Sequence, residues 1–337
     1  MNRPVSIKDL ARLAGVSHST VSRALRGSPL VAPEMTKRIR ELARVNGYRA
    51  SLAARSLVTR ESRTIGCVVT TLADPFMAEV VTGIESVANR NGYSVLLANS
   101  NADSRRELDV VHTLQQHRVD GVVTAASRVG AHYDQALAES QIPLVLINDQ
   151  QSAGYVHSVS IDNAAAAALL MRHLTGLGHT RIAYIGDARG GCSDRQRLAG
   201  YRAALRAARL RYPPEYVEHG DSTPAGGALA MSRLLHLRRP PTAVFCYNDR
   251  TALGVLAAIR KAGLQVPRDV SVVGFDDLDL ASYTDPPLTT LRQPMRIMGQ
   301  IAFEILLGLM RGDAAERVVT VQGELIVRQS TAPLRQA

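Results

Sequence analysis

The amino-acid sequence predicts an N-terminal all-α helix-turn-helix headpiece, followed by an α/β core of two doubly wound parallel-sheet subdomains. Positive charge is concentrated at the start of the chain, where apolar residues recur with the period of a helix. From residue 63 onward, short apolar runs alternate with helix-length segments, as in parallel sheets covered by helices. A small helical module and a larger α/β module are therefore expected.

The net charge of +10 is distributed unevenly. The first 63 residues hold thirteen of the forty Lys and Arg residues but four of the thirty Asp and Glu residues, so this segment carries +9. A charge that served only solubility would be spread over the whole surface. Such clustering is typical of a module that binds a polyanion; the alternative is a solvated basic arm.

Composition and segment patterns exclude several classes of protein. No run of eighteen apolar residues occurs among the 337 positions, so no transmembrane helix is expected. The first residues lack the apolar region of a secretory signal, which favours a cytoplasmic location. The cysteines are three in number and far apart, so buried free thiols are expected rather than disulfides or a zinc site: Cys67, Cys192 and Cys246.

Two short helices joined by a glycine-containing turn are predicted at the N-terminus. Ser6 can cap the first helix, with Asp9 in the capping-box position and Gly15 as the stop. Ser17 can cap the second helix, predicted over 18–25. This arrangement is a helix-turn-helix, whose second helix would enter a major groove of DNA.

A third helix is predicted to begin at Pro33 and to end at Gly47. Its exposed side carries basic residues, which are expected to contact phosphates rather than serve only as a solvated face: Lys37, Arg38, Arg40 and Arg44.

The headpiece resembles that of the lactose-repressor (LacI/GalR) family. The residues that carry the resemblance are Ile7-Lys8-Asp9-Leu10-Ala11, Ala14-Gly15-Val16-Ser17, Thr20-Val21-Ser22-Arg23-Ala24-Leu25 and Gly47-Tyr48-Arg49. The resemblance implies that bases are read by His18, Ser19, Ser22 and Arg23, with Arg23 donating two hydrogen bonds to a guanine. It implies that Ser17 and Thr20 hold phosphates and that Ser6 also lies among the DNA-binding residues.

The segment 50–60 is helix-prone but too short to be stable alone. The family resemblance implies that it is a hinge helix, ordered when two copies meet on DNA. Leu57 would then be a wedge between base steps in the minor groove, and the small Ala54 would let the paired helices approach. The alternative for Leu57 is a linker side chain that packs on the core. Ala50-Ser51 stands where the family usually has Pro-Asn, so the hinge begins less sharply.

The rest of the chain is predicted to form two series of strands and helices. The predicted strands cover 65–69, 94–98, 121–124, 143–147, 181–186, 243–246 and 270–275, and the clearest helical segments are 76–91, 195–210, 250–262 and 296–310. Ligands are expected at the carboxyl ends of such strands. The expected domains are a headpiece over 1–48, a hinge over 49–62 and an effector-binding and dimerisation domain over 63–337. That domain would divide into subdomains of about 63–162 plus 294–322 and about 163–293 plus 323–337.

The motifs of the common enzyme classes are missing from the sequence, so neither catalytic residues nor a cofactor is expected. The glycine-rich stretch 186–191 follows a strand but lacks the spacing of a dinucleotide-binding loop or a P-loop. The nine histidines show no metal-binding spacing, and His112 and His117 are expected at the surface. Asp276 and Asp277 directly follow a strand, so at most one of them can face a cleft.

The C-terminal region resembles the periplasmic sugar-binding-protein fold that completes regulators of the lactose-repressor family. The matching segments are 74–76, 177–179, 195–201, 247–254, 273–277 and 286–291. The resemblance places Arg197, Asn248 and Asp276 at a ligand, a donor, amide and acceptor set that suits hydroxyl groups. The alternatives are an ion pair for Arg197, a helix cap for Asn248 and a turn cap for Asp276. Further cleft positions implied by the resemblance are Asp74, Phe76, Met77, Asn148, Asp149, Ser222 and Gln293.

Two of these positions bear on the effector. Ser222 stands where many members of the family have an aromatic residue, and Asp149 where an arginine or aromatic is frequent. A neutral sugar or polyol is the preferred class, with a purine or nucleoside as the alternative. The resemblance implies a homodimer on pseudo-palindromic operator DNA that is controlled by a small molecule and has no membrane partner; the sequence after the last strand shows no appended heptad helix, which favours a dimer. A transport solute-binding protein is the alternative from a different class, and it would need a signal peptide.

Overall fold

The computed structural model describes residues 5–48, 61–129, 142–150, 157–313 and 317–334. The chain divides into two compact units: Met1–Ser62, which contains the headpiece, and Arg63–Ala337, called here the core. The hinge positions Ala50, Ser51, Ala54 and Leu57 lie outside the described residues, so their predicted roles remain predictions.

The headpiece contains the three expected helices, α1 (Ile7–Ala14), α2 (His18–Leu25) and α3 (Pro33–Val45). The predicted capping box is confirmed, because the amide of Asp9 donates to Ser6 while the carboxylate of Asp9 accepts from the amide and hydroxyl of Ser6. These hydrogen bonds hold the pKa of the Asp9 carboxyl below its usual range. Gly15 ends α1 in the left-handed conformation, with φ of 67°. The helices pack around the fully buried side chains of Val21 and Ile39.

The core consists of two lobes, each built around its own parallel sheet. The N-lobe contains β1 (Thr64–Val69), α4 (Pro75–Arg90), β2 (Ser94–Asn99), α5 (Ser104–Gln116), β3 (Val122–Ala125), β4 (Leu144–Ile147), β5 (His157–Ile161) and, later in the chain, α10 (Met295–Met310) and β11 (Arg317–Val321). The C-lobe contains α6 (Asn163–Gly176), β6 (Ile182–Asp187), α7 (Cys192–Ala207), β7 (Val217–Gly220), α8 (Pro224–Leu235), β8 (Ala243–Cys246), α9 (Asp249–Lys261), β9 (Ser271–Val273), β10 (Thr290–Arg292) and β12 (Glu324–Ile326).

The two large sheets have the open, doubly wound topology that the alternating pattern predicts. The N-lobe sheet has the order β11-β5-β4-β3-β1-β2 and the C-lobe sheet the order β7-β6-β8-β9, with parallel pairing throughout. β10 and β12 form a separate antiparallel ribbon. Neither β5 nor β7 was expected, because their sequences, HSVSI and VEHG, lack a continuous apolar run.

The chain passes between the lobes three times, after β5, after β10 and after β11. These crossings lie close together: a Cβ atom at Gly323 would stand 2.6 Å from Leu291 Cδ2 and 3.0 Å from Ile161 Cδ1. These three crossings form one compact connection, called here the interlobe junction. The carboxyl ends of strands from both sheets therefore face a common cleft.

The predicted burial of the thiols is correct for Cys67 and Cys246 and wrong for Cys192, which is half-buried at the start of α7. His112 and His117 are exposed, as expected. Within the described residues, no cluster of side chains has the composition of a metal site, and no helix is long and apolar enough to cross a membrane.

Candidate functional site

A narrow cleft lies between the two lobes and encloses about 90 Å³. Its lining comes from the carboxyl ends of strands in both sheets and from the first turns of the helices that follow. These residues are Thr70, Asp74, Phe76, Met77, Ala102, Ala126, Arg128, Asn148, Gln150, Asp187, Arg189, Ser193, Arg197, Ser222, Tyr247, Asn248, Asp276 and Gln293. A space of this size holds a few water molecules, so a larger ligand requires the lobes to move apart.

Arg197 is one of three arginines in the cleft lining and is only 3% exposed. Its guanidinium carbon lies 3.6 Å from the ring centroid of Phe275 and 4.6 Å from that of Tyr247. Nε donates to the side-chain oxygen of Asn163 at 2.8 Å, and Nη1 donates to the carbonyl of Tyr247. Stacking and two hydrogen bonds therefore hold the planar group in one orientation before any ligand arrives.

Asp276 brings a carboxyl group to the same cleft. Burial raises its pKa well above the usual value, and the positive charge of Arg197 opposes that shift. Its Oδ1 accepts from the side-chain amide of Gln293 at 2.6 Å, and Gln293 accepts in turn from Asn148 at 3.4 Å. This chain of polar contacts links C-lobe and N-lobe segments across the interlobe junction.

The adjacent carboxylate faces away from the cleft, although the two residues have φ angles of 122° and 58° and so do not continue the strand. Asp277 pairs with Arg292 at 2.7 Å and with Arg328 at 2.6 Å. The expectation that at most one of Asp276 and Asp277 faces the cleft is confirmed.

Asn248 combines two of the roles that the sequence left as alternatives. Its side-chain oxygen accepts from the amide of Thr251 at 2.8 Å and so caps α9, while the residue also lines the cleft. Ser222 lies next to Asn248, whose side-chain nitrogen donates to the Ser222 carbonyl at 3.5 Å; Ser222 is 6% exposed, and its hydroxyl has no hydrogen-bond partner among the described residues. A buried hydroxyl without a partner has an unmet hydrogen-bonding requirement that a ligand can supply.

Five non-glycine residues of the cleft lining adopt positive φ angles, and three of them are polar: Asn148 at 48°, Ser222 at 64° and Asp276 at 122°. Such conformations cost about 1–3 kcal/mol each and are concentrated at functional sites. Three strained polar residues converge here from three different chain segments, which indicates a binding site rather than a packing defect.

Nine of the ten effector-binding positions predicted from the sequence lie in the lining; the exception is Asp149. Asp149 follows Asn148, whose left-handed backbone turns the next side chain out of the cleft and into a neighbouring cavity. Gln150 lines the cleft in its place and donates to Asn148 and Ser193.

Sequence reasoning also missed Asp187 and Arg189. They form an ion pair at 3.1 Å at the edge of the cleft. Asp187 ends β6, so its position at the carboxyl end of a strand is the sequence signal that marks it.

The headpiece presents a second polar surface along α2. Ser17 caps this helix, and its hydroxyl lies 2.8 Å from that of Ser19 and 2.9 Å from that of Thr20. His18 and Arg23 are exposed on the same helix, and Ser22 is half-buried. Ser6 lies outside this group, because its hydroxyl is engaged in the capping box of α1.

A capped helix that exposes hydroxyls and an arginine in one unit, and a polar cleft between two lobes in the other, together define a DNA-binding regulator with a small-molecule site. Comparison with protein families agrees: residues 6–51 match the bacterial regulatory proteins of the lacI family, and residues 171–331 match a periplasmic binding protein-like domain.

The relatives extend the match to nearly the whole chain. The HTH-type transcriptional repressor CytR of Escherichia coli is 36% identical over 334 residues, covering 98% of this chain and 97% of the relative. PurR of Vibrio campbellii, also an HTH-type transcriptional repressor, is 34% identical over 331 residues, covering 98% and 99%. The chain therefore belongs to the lacI family of bacterial regulatory proteins and is a DNA-binding transcriptional regulator controlled by a small molecule.

Solved structures support the same conclusion. The lac repressor dimer bound to operator and the anti-inducer ONPF is 28% identical, with a TM-score of 0.90 and coverage of 98% of this chain and 100% of that chain. The complex of the transcriptional regulator CelR with cellobiose is 30% identical, with a TM-score of 0.74 and coverage of 97% and 99%.

Proposed function

We propose that this protein is a cytoplasmic homodimeric repressor whose affinity for a pseudo-palindromic operator is set by a neutral sugar or polyol bound in the cleft. Residues 1–48 bind the operator, 49–62 form the hinge, and 63–337 bind the effector and the second subunit. The cleft recognises the effector and thereby switches the affinity for the operator, and no catalytic residue is assigned.

The observation that carries the proposal is the convergence of strained or buried polar groups on one narrow cleft. Arg197 supplies a rigid donor, Asp276 and Gln293 an acceptor and an amide, and Ser222 a hydroxyl that needs a partner. Neutral hydroxyl groups both donate and accept, so they can satisfy all of these groups together. The lining holds three carboxyl groups, of Asp74, Asp187 and Asp276, against three guanidinium groups, so it offers an anion no excess of positive charge.

Relatives with bound ligands favour a sugar. CelR is solved with cellobiose, and a LacI-family regulator from Enterococcus faecium is solved with ribose. A nucleobase or nucleoside is the second candidate, because Phe76 at the cleft wall offers a ring on which a flat base can stack.

Coupling between effector and operator follows from the size of the cleft. The enclosed 90 Å³ is smaller than a sugar needs, so binding selects a different angle between the lobes. A change in lobe angle repositions the segment 49–62 that leads to the headpiece. Operator DNA must then alter effector affinity by the same factor as the effector alters operator affinity.

The ligand assignment is tested by a thermal-shift screen of cellobiose, ribose, other sugars and polyols, and nucleosides against the full-length protein. A ligand at one hundred times its Kd stabilises the folded state by about 2.7 kcal/mol. In Ser222→Ala protein the same ligand concentration should give about half of this effect, because a tenfold weaker Kd lowers the stabilisation to about 1.4 kcal/mol. If only nucleosides stabilise the protein, the sugar or polyol assignment is wrong and a nucleoside becomes the preferred effector.

The DNA-binding assignment is tested with an operator selected from random duplexes. Arg23→Ala should lose about 1–3 kcal/mol of discrimination at one base pair, because a bidentate contact to a base is worth that much. Arg12→Ala is the matched control: Arg12 is exposed on α1 and paired with Asp9, so its loss should weaken binding slightly for all sequences alike. Equal and sequence-independent losses in both variants would contradict base reading by Arg23.

The hinge assignment is tested by Leu57→Ala. This change should reduce specific binding far more than salt-sensitive nonspecific binding, since a wedge acts only on ordered operator DNA. Removal of residues 1–60 should abolish operator binding and retain effector binding.

A further inference from the structure

A second cavity, of about 410 Å³, lies beside the interlobe junction and shares Asn148 and Ser193 with the effector cleft. We call it the flank cavity. Its volume lies within the range of about 300–1,000 Å³ that is usual for small-molecule sites. It is therefore large enough for a sugar-sized molecule, which the narrow cleft in this structure is not.

Both lobes contribute walls to the flank cavity. Ser158 and Ser160 of β5 and Thr320 of β11 belong to the N-lobe, whereas Asn163 at the start of α6 and Gln196 of α7 belong to the C-lobe. A ligand that contacts both walls binds best at one lobe angle, so its binding must shift the equilibrium between lobe orientations.

The lining is rich in hydroxyl and amide groups and contains two carboxylates, Asp149 and Asp162. Asp162 caps α6 by accepting from the amide of Ala165 at 2.9 Å. No lysine or arginine is among the described residues that line the cavity, although Arg195 interacts with the nearby Cys192. This chemistry suits an uncharged polyhydroxylated ligand, and among the described lining residues an anion would find no cation to pair with.

A thin polar partition separates the flank cavity from the effector cleft. Asn163 is 3% exposed; its amide nitrogen donates to Gln196 at 3.0 Å, and its oxygen accepts from Nε of Arg197 at 2.8 Å. On the same partition, Gln150 donates to the hydroxyl of Ser193 at 3.0 Å. A ligand that takes over Gln196 or Asn163 on the flank side must disturb the group that orients Arg197 on the cleft side.

We propose that the flank cavity is a second small-molecule site, for an uncharged polyol, coupled to the effector cleft through Asn163 and Ser193. The site lies outside the effector cleft of the proposed function and adds a second input to the same pair of lobes. Its occupancy can be measured without operator or effector, so its failure is distinguishable from failure of the proposed function.

Cys192 provides a reporter, because it lines the flank cavity and is half-buried. Cys67 and Cys246 are fully buried, and burial raises the pKa of the Cys67 thiol to about 12, so both react slowly. Full-length protein is labelled with propyl methanethiosulfonate, and the modified residue is confirmed by mass spectrometry. Cys192→Ser protein provides the blank.

Sorbitol is the probe and gluconate, the same carbon chain with a carboxylate, is the matched anion. Sorbitol should slow labelling of Cys192 saturably and at least fivefold, while gluconate at equal ionic strength should not. Ser160→Val, which changes only the flank lining, should raise the sorbitol concentration for half-protection at least tenfold. Ser222→Ala, which changes only the cleft lining, should leave that concentration unchanged.

A tethered ligand removes the dependence on sorbitol itself. Protein labelled with the 2,3-dihydroxypropyl reagent should melt about 2 °C or more above protein labelled with the propyl reagent, because only the diol can bond to the polar walls. The site is refuted if sorbitol gives no protection and the two labelled proteins melt alike. It is also refuted if gluconate protects equally, or if Ser222→Ala abolishes protection while Ser160→Val does not.

The coupling has its own readout. A cleft ligand found by the thermal-shift screen should change the sorbitol concentration for half-protection at least fivefold, since coupling between sites is typically about 5–150-fold. An unchanged value with both sites occupied would overturn the coupling through Asn163 and Ser193.

Discussion

Replacing Arg197 with lysine separates the charge of this residue from its geometry. Lysine keeps a positive charge in the cleft but cannot stack as a plane on Phe275 and Tyr247. It also has no nitrogen at the Nε position, which donates to Asn163 at 2.8 Å. If the cleft needs only a cation, Arg197→Lys should be tolerated; if it needs an oriented fork, the substitution should be costly.

The size of the effect follows from these contacts. A hydrogen bond that involves a charged group contributes about 1.5–3 kcal/mol, so loss of the oriented donor should weaken effector binding about 10- to 150-fold. The side-chain oxygen of Asn163 loses its charged donor in a buried setting, which costs about 1–3 kcal/mol. The melting temperature should therefore fall by several degrees.

Effector affinity is measured by calorimetry with the ligand that stabilises the unmodified protein, and folding by circular dichroism and thermal unfolding. Arg206→Lys is the matched control, because Arg206 lies on α7 as well but is exposed and outside the cleft lining. Its effector affinity and melting temperature should stay the same. Arg197→Lys protein that folds normally and binds the effector with undiminished affinity would refute the oriented-donor reasoning.

Three further predictions address individual residues. Ser222→Ala should weaken effector binding about tenfold without lowering the melting temperature of the free protein, since the hydroxyl has no partner among the described residues; a lower melting temperature would indicate a structural role. Burial lowers the pKa of His179, whose ring is hydrogen-bonded to Thr242 and Ser271, so the folded protein binds a proton at this residue less well than the unfolded chain does. The stability that neutral His179 contributes is therefore complete above about pH 6.5 and is lost as the pH falls below that value. The urea midpoint of the wild type should fall with acidification more steeply than that of His179→Gln protein. Gly254→Ala should destabilise by about 3 kcal/mol in urea unfolding, because its Cβ would lie 1.7 Å from a backbone oxygen of α8, whereas Gly176→Ala, with open space around it, should be neutral or slightly stabilising.

The headpiece was predictable from sequence because its signals are local. Ser6 and Asp9 satisfy each other within one turn, and Gly15 and Ser17 punctuate the chain within three residues. Capping and helix period act over a few positions, so their geometry can be derived without knowing the remaining fold. The bounds of α2 were predicted correctly at both ends.

The cleft was predictable only in part. Apolar strands such as β6 and β8 mark their own carboxyl ends, and the residues that follow them, including Asn248, were placed at the site. The exchange of Asp149 for Gln150 was not predictable, because it depends on the left-handed backbone of Asn148. That conformation is maintained by contacts with Gln293, which is 145 residues away in the chain, and with the amide of Ile161, which is 13 residues away on the next strand.

By itself, the sequence determined that this chain has a basic helix-turn-helix, a doubly wound core and the residue types of a polar ligand site, since charge, periodicity and strand ends are written along the chain. Only the tertiary structure decided which of those polar groups meet. The three crossings between the lobes bring Ile161, Leu291 and Gly323 together, and this convergence places Asn163 between the cleft and the flank cavity. The physical reason is that a binding site depends on distances between segments more than a hundred residues apart, which only the packing of both lobes establishes.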